Sequence, residues 1–383
     1  MNAMWLRGLC SRMLGASLHF WRNPTAAAIL WPLAAWRRHV LELRRRGELL
    51  TSAASVGDAF ECARLLRQRI GFRYCTRASR IAADAGHVDC LRLLIPRSKP
   101  NAQDSHALAF AAAKGRLECV KLLIPVSRIS SAKMQPLFLA AAGGHAECVT
   151  LLIPVSNAKN RILALFRAAG EGRLDCVKLL APTANQNDLA KALCFAVDEG
   201  RIECAKFLAP LCNSQSDYCS ALRNAAIHGH ADCLTLLIST FQPNAEYSKI
   251  LCSAASRGQA ECVNVLLALV DPSADDHRAL RHAVIAGHLE SARLLLPDNT
   301  APLPAGIFSQ ALLSGSVDLA AMLLAREPAL MDHVDLPMAF GHAVQNGHKD
   351  LALLLSTAIE SRALSTVAKS GHLGSHARKA SRL

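Results

Sequence analysis

One pattern, Ala-Ala-x-x-Gly-[His/Arg]-x-[Glu/Asp]-Cys-x-x-Leu-Leu, recurs with its glycine at Gly86, Gly115, Gly144, Gly172, Gly200, Gly229, Gly258 and Gly287. A copy with a one-residue insertion precedes these at Gly57, and degenerate copies follow at Gly315 and Gly347. Neighbouring glycines are 28 or 29 residues apart, except for a step of 32 before Gly347. So short a period constrains the fold severely. One unit cannot bury its own apolar face, so successive copies must stack to build a continuous core. The pattern predicts eleven helix pairs over residues 47–359 and a twelfth half-copy around Gly371 with a first helix but no second.

Each copy follows from local chemistry. The first helix is short, as in residues 107–112 or 221–226. Its Ala pair lets a neighbouring helix approach closely, and a Leu one turn earlier fills the gap on the same face. The glycine ends that helix, because a left-handed residue is least strained without a Cβ. An acid then opens every second helix: Glu61, Asp89, Glu118, Glu147, Asp175, Glu203, Asp232, Glu261, Glu290, Asp318 and Asp350. There it meets unpaired N–H groups and the positive end of the helix dipole. The Leu pair buries the second helix, and Pro96, Pro125, Pro154, Pro182, Pro210 and Pro297 are expected to stop it. The composition agrees: 51% hydrophobic but 5% aromatic, with no long alternating run to suggest strands. The fold class read from this is all-α.

The segments Gly86-His87-Val88-Asp89-Cys90-Leu91-Arg92-Leu93-Leu94 and Gly144-His145-Ala146-Glu147-Cys148-Val149-Thr150-Leu151-Leu152 resemble the ankyrin repeat family. The resemblance covers about four-fifths of the chain and implies an α-solenoid. Two features depart from the family. Its usual period is about 33 residues, so each copy here is about four short. The Thr-Pro-Leu-His opening of the first helix is also missing, with Gln135-Pro136-Leu137-Phe138 its nearest trace. Both losses fall on the family's β-hairpin finger, so shortened finger loops are expected. Copies with this cysteine-bearing core also look like bacterial ankyrin proteins, some of which act as effectors inside host cells.

Cys62, Cys90, Cys119, Cys148, Cys176, Cys204, Cys233 and Cys262 occupy one slot in eight successive copies. His87–Cys90, His145–Cys148 and His230–Cys233 have a spacing that could place two ligands on one helix face. A zinc site needs about four convergent ligands. The family's repeat stacking implies that these sulfurs lie too far apart. They read as small core hydrophobes in a reducing, intracellular compartment, and no metal or cofactor is expected. Cys10, Cys75, Cys194, Cys212, Cys219 and Cys252 form no CxxC pair. The acids sit on different helices, each with a local reason, so they are not catalytic pairs. No phosphate-binding glycine loop, nucleophile elbow or HExxH motif occurs. Catalytic residues and a small-molecule substrate are therefore not expected. The histidines after the turn glycine (His87, His145, His230, His288, His348) read as turn residues, interchangeable with Arg116, Arg173 and Arg201.

The net charge of +13 is uneven: residues 1–100 carry +11, 101–250 carry +3, 251–350 carry −5 and 351–383 carry +4. A nucleic-acid groove along the whole array is not expected. Residues 1–46 form a basic segment holding all four tryptophans, Trp5, Trp21, Trp31 and Trp36, with no acid before Glu42. Its apolar run over residues 25–36 is shorter than the ~20 residues needed to span a bilayer. Three readings stay open: a targeting or membrane-surface segment, a capping helix over the first copy, or disorder. An intracellular, cytoplasmic location is expected, or a host cytoplasm or organelle if the segment is a targeting signal. Residues 360–383 hold the half-copy and a basic tail ending Ser381-Arg382-Leu383, a variant of a peroxisomal address.

In the ankyrin family the two positions before the turn glycine face the concave, partner-binding surface. Carried over, these include Lys114, Glu171, Asp198, Glu199, Ile227, His228, Arg257, Ile285 and Leu313. The resemblance implies a monomeric, non-enzymatic scaffold for a protein partner. The alternative is docking to a membrane surface or nucleic acid through the basic N-terminus, with the array as spacer.

Overall fold

The computed structural model describes residues 24–98, 106–127, 135–213, 215–240, 246–296, 303, 306–327, 330–331 and 334–362. Eleven helix pairs are present, and no strand occurs among the described residues. The expected half-copy around Gly371 lies outside them. Two compact units divide the chain, Met1–Arg161 and Ile162–Leu383. In the first unit, the first helices Pro24–Val56, Phe72–Ala85, His106–Ala113 and Pro136–Gly143 stack in sequence order. The second helices Ala59–Leu66, Val88–Leu94, Leu117–Leu123 and Ala146–Leu152 form a parallel layer. The second unit repeats this arrangement from Gln186–Asp198 to Leu336–Gln345 in one layer, and from Leu174–Leu180 to Val317–Arg326 in the other.

The turn works as the sequence requires. All eleven turn glycines have φ between +65° and +90°. In ten copies the N–H after the glycine returns to the carbonyl five residues earlier, at 2.7–3.1 Å. This is a Schellman-type stop that satisfies a carbonyl the helix leaves open. The Ala pair is sealed, as Ala111, Ala112, Ala140 and Ala141 illustrate at 0% exposure. Four of the prolines act differently from expectation, and Pro297 lies outside the described residues. Pro96, Pro125, Pro182 and Pro210 sit inside short 3-10 turns that continue the second helix, so they tighten its last turn rather than end it outright. One connector is brief: after Ala181–Thr183 only residues 184–185 precede Gln186, and Asn185 caps the next helix by accepting from the Asp188 N–H at 2.9 Å.

In six copies the residue after the glycine does more than turn the chain. His145 Nε2 lies 3.0 Å from the Ala113 carbonyl of the preceding copy. A carbonyl only accepts, so the imidazole donates. His87 reaches Ser55, Arg116 reaches Asp84, Arg201 reaches Gly170, His230 reaches Asp198 and Gln259 reaches Ile227, all at 2.9–3.4 Å. The acceptor is always two residues before the preceding turn glycine. His, Arg and Gln interchange because each places an N–H at the same reach. These side chains staple one copy to the next. His145→Ala is expected to lower the urea unfolding free energy by about 1 kcal/mol. His145→Gln should recover most of the loss, because Gln259 performs the same task. Equal losses for both variants would refute the staple.

The eleventh copy ends the described stack. Val344 occupies the second Ala slot, sealed in every earlier copy, yet it is 55% exposed. No helix of the described residues is long and apolar enough to cross a membrane.

Candidate protein-binding face

The positions expected to meet a partner form the last turn of each first helix. Lys114, Glu199, His228, Arg257, Ile285 and Leu313 are exposed, while Glu171, Asp198 and Ile227 are half-buried. Helical periodicity puts the residue four positions earlier on the same face. That adds Phe110 above Lys114, Phe195 above Glu199 and Asn224 above His228. In the first unit the Arg80 guanidinium lies 5.8 Å from the centre of the Phe110 ring, a cation–π arrangement. In the second unit the Phe166 and Phe195 rings stand 5.3 Å apart, with Phe195 45% exposed. The sequence reading missed these aromatics, although their one-turn offset from the pre-glycine positions was the signal for them.

Asp198 is the most connected of the expected residues. Its backbone carbonyl lies 2.9 Å from His230 Nε2 and 3.3 Å from His228 Nδ1. Burial pushes its carboxyl above the usual range, with the hydrogen bond from Asn224 and the nearby His228 pulling it back. Its Oδ1 is buried without a hydrogen bond. Glu171 is engaged within its own copy, 2.8 Å from Arg167. Ile227 is held by the Gln259 staple to its carbonyl and half-buried, so it is a weaker anchor than its hydrophobicity suggests. Ile285 and Leu313, in consecutive copies, are 57% and 63% exposed.

The cysteine ladder lies apart from this face. All eight of its members are buried, and none forms a disulfide. Burial pushes the Cys62 thiol up to about 12 and Cys119, Cys204 and Cys262 up to about 11, so they stay protonated at neutral pH. Among the described residues no group of three or more His, Cys, Asp or Glu side chains is placed to hold a metal ion. Three of the acids opening the second helices pair with a cation one turn on: Glu61–Arg64 at 2.6 Å, Glu118–Lys121 at 2.7 Å and Glu203–Lys206 at 3.4 Å.

Comparison with known proteins decides the family. Ankyrin repeats, in sets of three, match residues 49–133, 79–162, 108–189, 137–221, 165–248 and 222–303. The chain belongs to the ankyrin repeat family. Among solved structures, the human ASB11 ankyrin repeat domain is similar at 22% identity. That match covers 50% of this chain and 96% of that domain, with a TM-score of 0.43. No curated protein matches the chain. Ankyrin repeats make this a protein–protein interaction fold, and its interaction surface must be sought in what varies between copies. The copies differ at the pre-glycine positions, where Lys114, Glu171, Glu199, His228 and Arg257 occupy one slot.

Proposed function

We propose that this ankyrin array is a monomeric, non-enzymatic scaffold that binds a protein partner along the pre-glycine strip of its first helices. The observation carrying this reading is the pair Ile285 and Leu313, large aliphatic side chains exposed in consecutive copies where a monomer gains nothing from them. The acids Glu171, Asp198 and Glu199 add a charged rim, the usual surround of an apolar anchor. A role as an effector inside a host cell is the version of this reading that the bacterial resemblance suggests.

The test is comparative binding. A partner isolated on the immobilised chain is expected to lose about 2 kcal/mol or more of affinity on Ile285→Asp with Leu313→Asp, through faster dissociation. Glu171→Lys, Asp198→Lys and Glu199→Lys should slow association, by less as salt rises. Reversing Glu118 and Glu203 on the second helices serves as the control, costing about 0.3–1 kcal/mol of stability each and no affinity. Loss of binding in the control with none in the strip variants would move the interface off this face.

A further inference from the structure

The helix Pro24–Val56 runs for 33 residues, far beyond the ten or so that a first helix of this array needs. Its lower half behaves like any other copy. Leu50 and Ala54 are buried, and a Cβ on Gly47 would run into the ring of Tyr74. The spacing 36, 40, 43, 47, 50, 54 is one continuous helix face. Up that face the cover stops: Leu43 is half-buried, Val40 is 40% exposed and Trp36 is 61% exposed. Leu41, on a neighbouring row, is exposed as well. An apolar stripe thus continues past the point where the array covers it.

Charge identifies the occupant. Arg37, Arg38, Arg44 and Arg45 flank the stripe and are exposed. The only acids nearby, Glu42 and Glu48, are held by Arg46 at 3.0 Å and Arg44 at 2.9 Å on the same helix. Residues 1–23 could in principle fold back over the stripe, but they carry Arg7, Arg12 and Arg22 and no acid. Folding them down would concentrate like charge on a face already rich in arginine. A protein core or neutral lipid would leave the arginines uncompensated. We infer that the stripe from Trp36 to Leu43 docks on an anionic phospholipid surface, with the arginine stems lying along the apolar boundary and their guanidiniums on lipid phosphates and carboxylates. The helix lies on the membrane rather than through it, because five arginines interrupt it. The residues of this stripe are not those of the pre-glycine strip, and the inference does not depend on it.

All four tryptophans fall within residues 1–36, so intrinsic tryptophan emission of the whole chain reports on this segment alone. Vesicles with about one third phosphatidylserine are expected to shift the emission to the blue and to float the protein, reversed at about 0.5 M salt. Pure phosphatidylcholine vesicles should do neither. Arg37→Glu with Arg38→Glu should weaken flotation at least about tenfold, because each cation near the surface contributes separately. Trp36→Ser with Val40→Ser should weaken it with little change in the unfolding midpoint, since both side chains are exposed. Equal binding to neutral vesicles, or none to either, would overturn the proposal. Emission already blue without vesicles and unmoved by them would also overturn it, assigning the stripe's cover to the chain itself. Neither set of variants touches Ile285 or Leu313, so partner binding by the strip stands or falls separately.

Discussion

A Gly200→Val protein is expected to lose about 3 kcal/mol of stability, from backbone strain and overpacking together. Gly200 holds φ at +65°, a region that a β-branched residue enters only under strain. A Cβ there would also stand 2.7 Å from His230 Nδ1. Valine must therefore displace the His230 ring, and with it the bond from Nε2 to the Asp198 carbonyl at 2.9 Å. One substitution breaks the turn within its copy and the staple to the next. Hydrogen exchange should show the loss concentrated in residues 186–240, because repeat arrays are stabilised by nearest neighbours. The control is Gly341→Ala. Gly341 lies inside the helix Leu336–Gln345, has open space where a Cβ would stand, and is expected to gain about 0.5–1 kcal/mol. Urea unfolding followed by far-ultraviolet circular dichroism measures both. A tolerated Gly200→Val would mean that the turn is not the fixed point of the repeat.

The fold was legible because its grammar is local. Glycine position, the Ala pair and the Leu pair each answer to one steric or burial requirement; the glycine recurs in all eleven copies, the Ala pair intact in seven and the Leu pair in eight. What escaped the sequence was chemistry acting between copies. His145 looks like a turn residue because its partner, Ala113, is 32 residues away and contributes only a backbone oxygen, which no side-chain pattern can advertise. The substitution of His by Arg and Gln at that slot was the available clue: they share a donor, not a turn preference. The prolines misled for the opposite reason. Proline suits the start of a 3-10 turn as well as the end of an α-helix, and sequence alone does not separate the two. At the binding face, the pre-glycine slots were readable from family resemblance, but exposure was not. Ile227 and Ile285 occupy the same slot, yet the first is half-buried and the second is 57% exposed.

Cys148→Asp is expected to cost about 4 kcal/mol, whereas Cys148→Val should change stability by less than about 1.5 kcal/mol. Cys148 is 1% exposed, and burial pushes its thiol up, with Glu147 adding to the same effect. Valine replaces the thiol with apolar volume of similar size. Aspartate puts a carboxylate where the nearest charge, Glu147, has the same sign. Its folded pKa must then rise above the unfolded value of about 4, so the deficit is smallest below that pH and grows as pH rises through the folded pKa. Unfolding midpoints of the three proteins across acid and neutral pH measure this directly. The comparison also separates packing from ligation. If the ladder only fills space, valine is accepted, chelator leaves the midpoint unchanged, and the purified protein carries no stoichiometric metal. If Cys148 ligates, valine fails as badly as aspartate and chelator lowers the midpoint. Cys62 and Cys90, in adjacent copies, influence each other's titration and are the place where ligation would first show itself. Two ligands fall short of the usual four for zinc. Cys62→Val with Cys90→Val is therefore expected to behave as Cys148→Val does, because burial in the core is the one property all eight positions share.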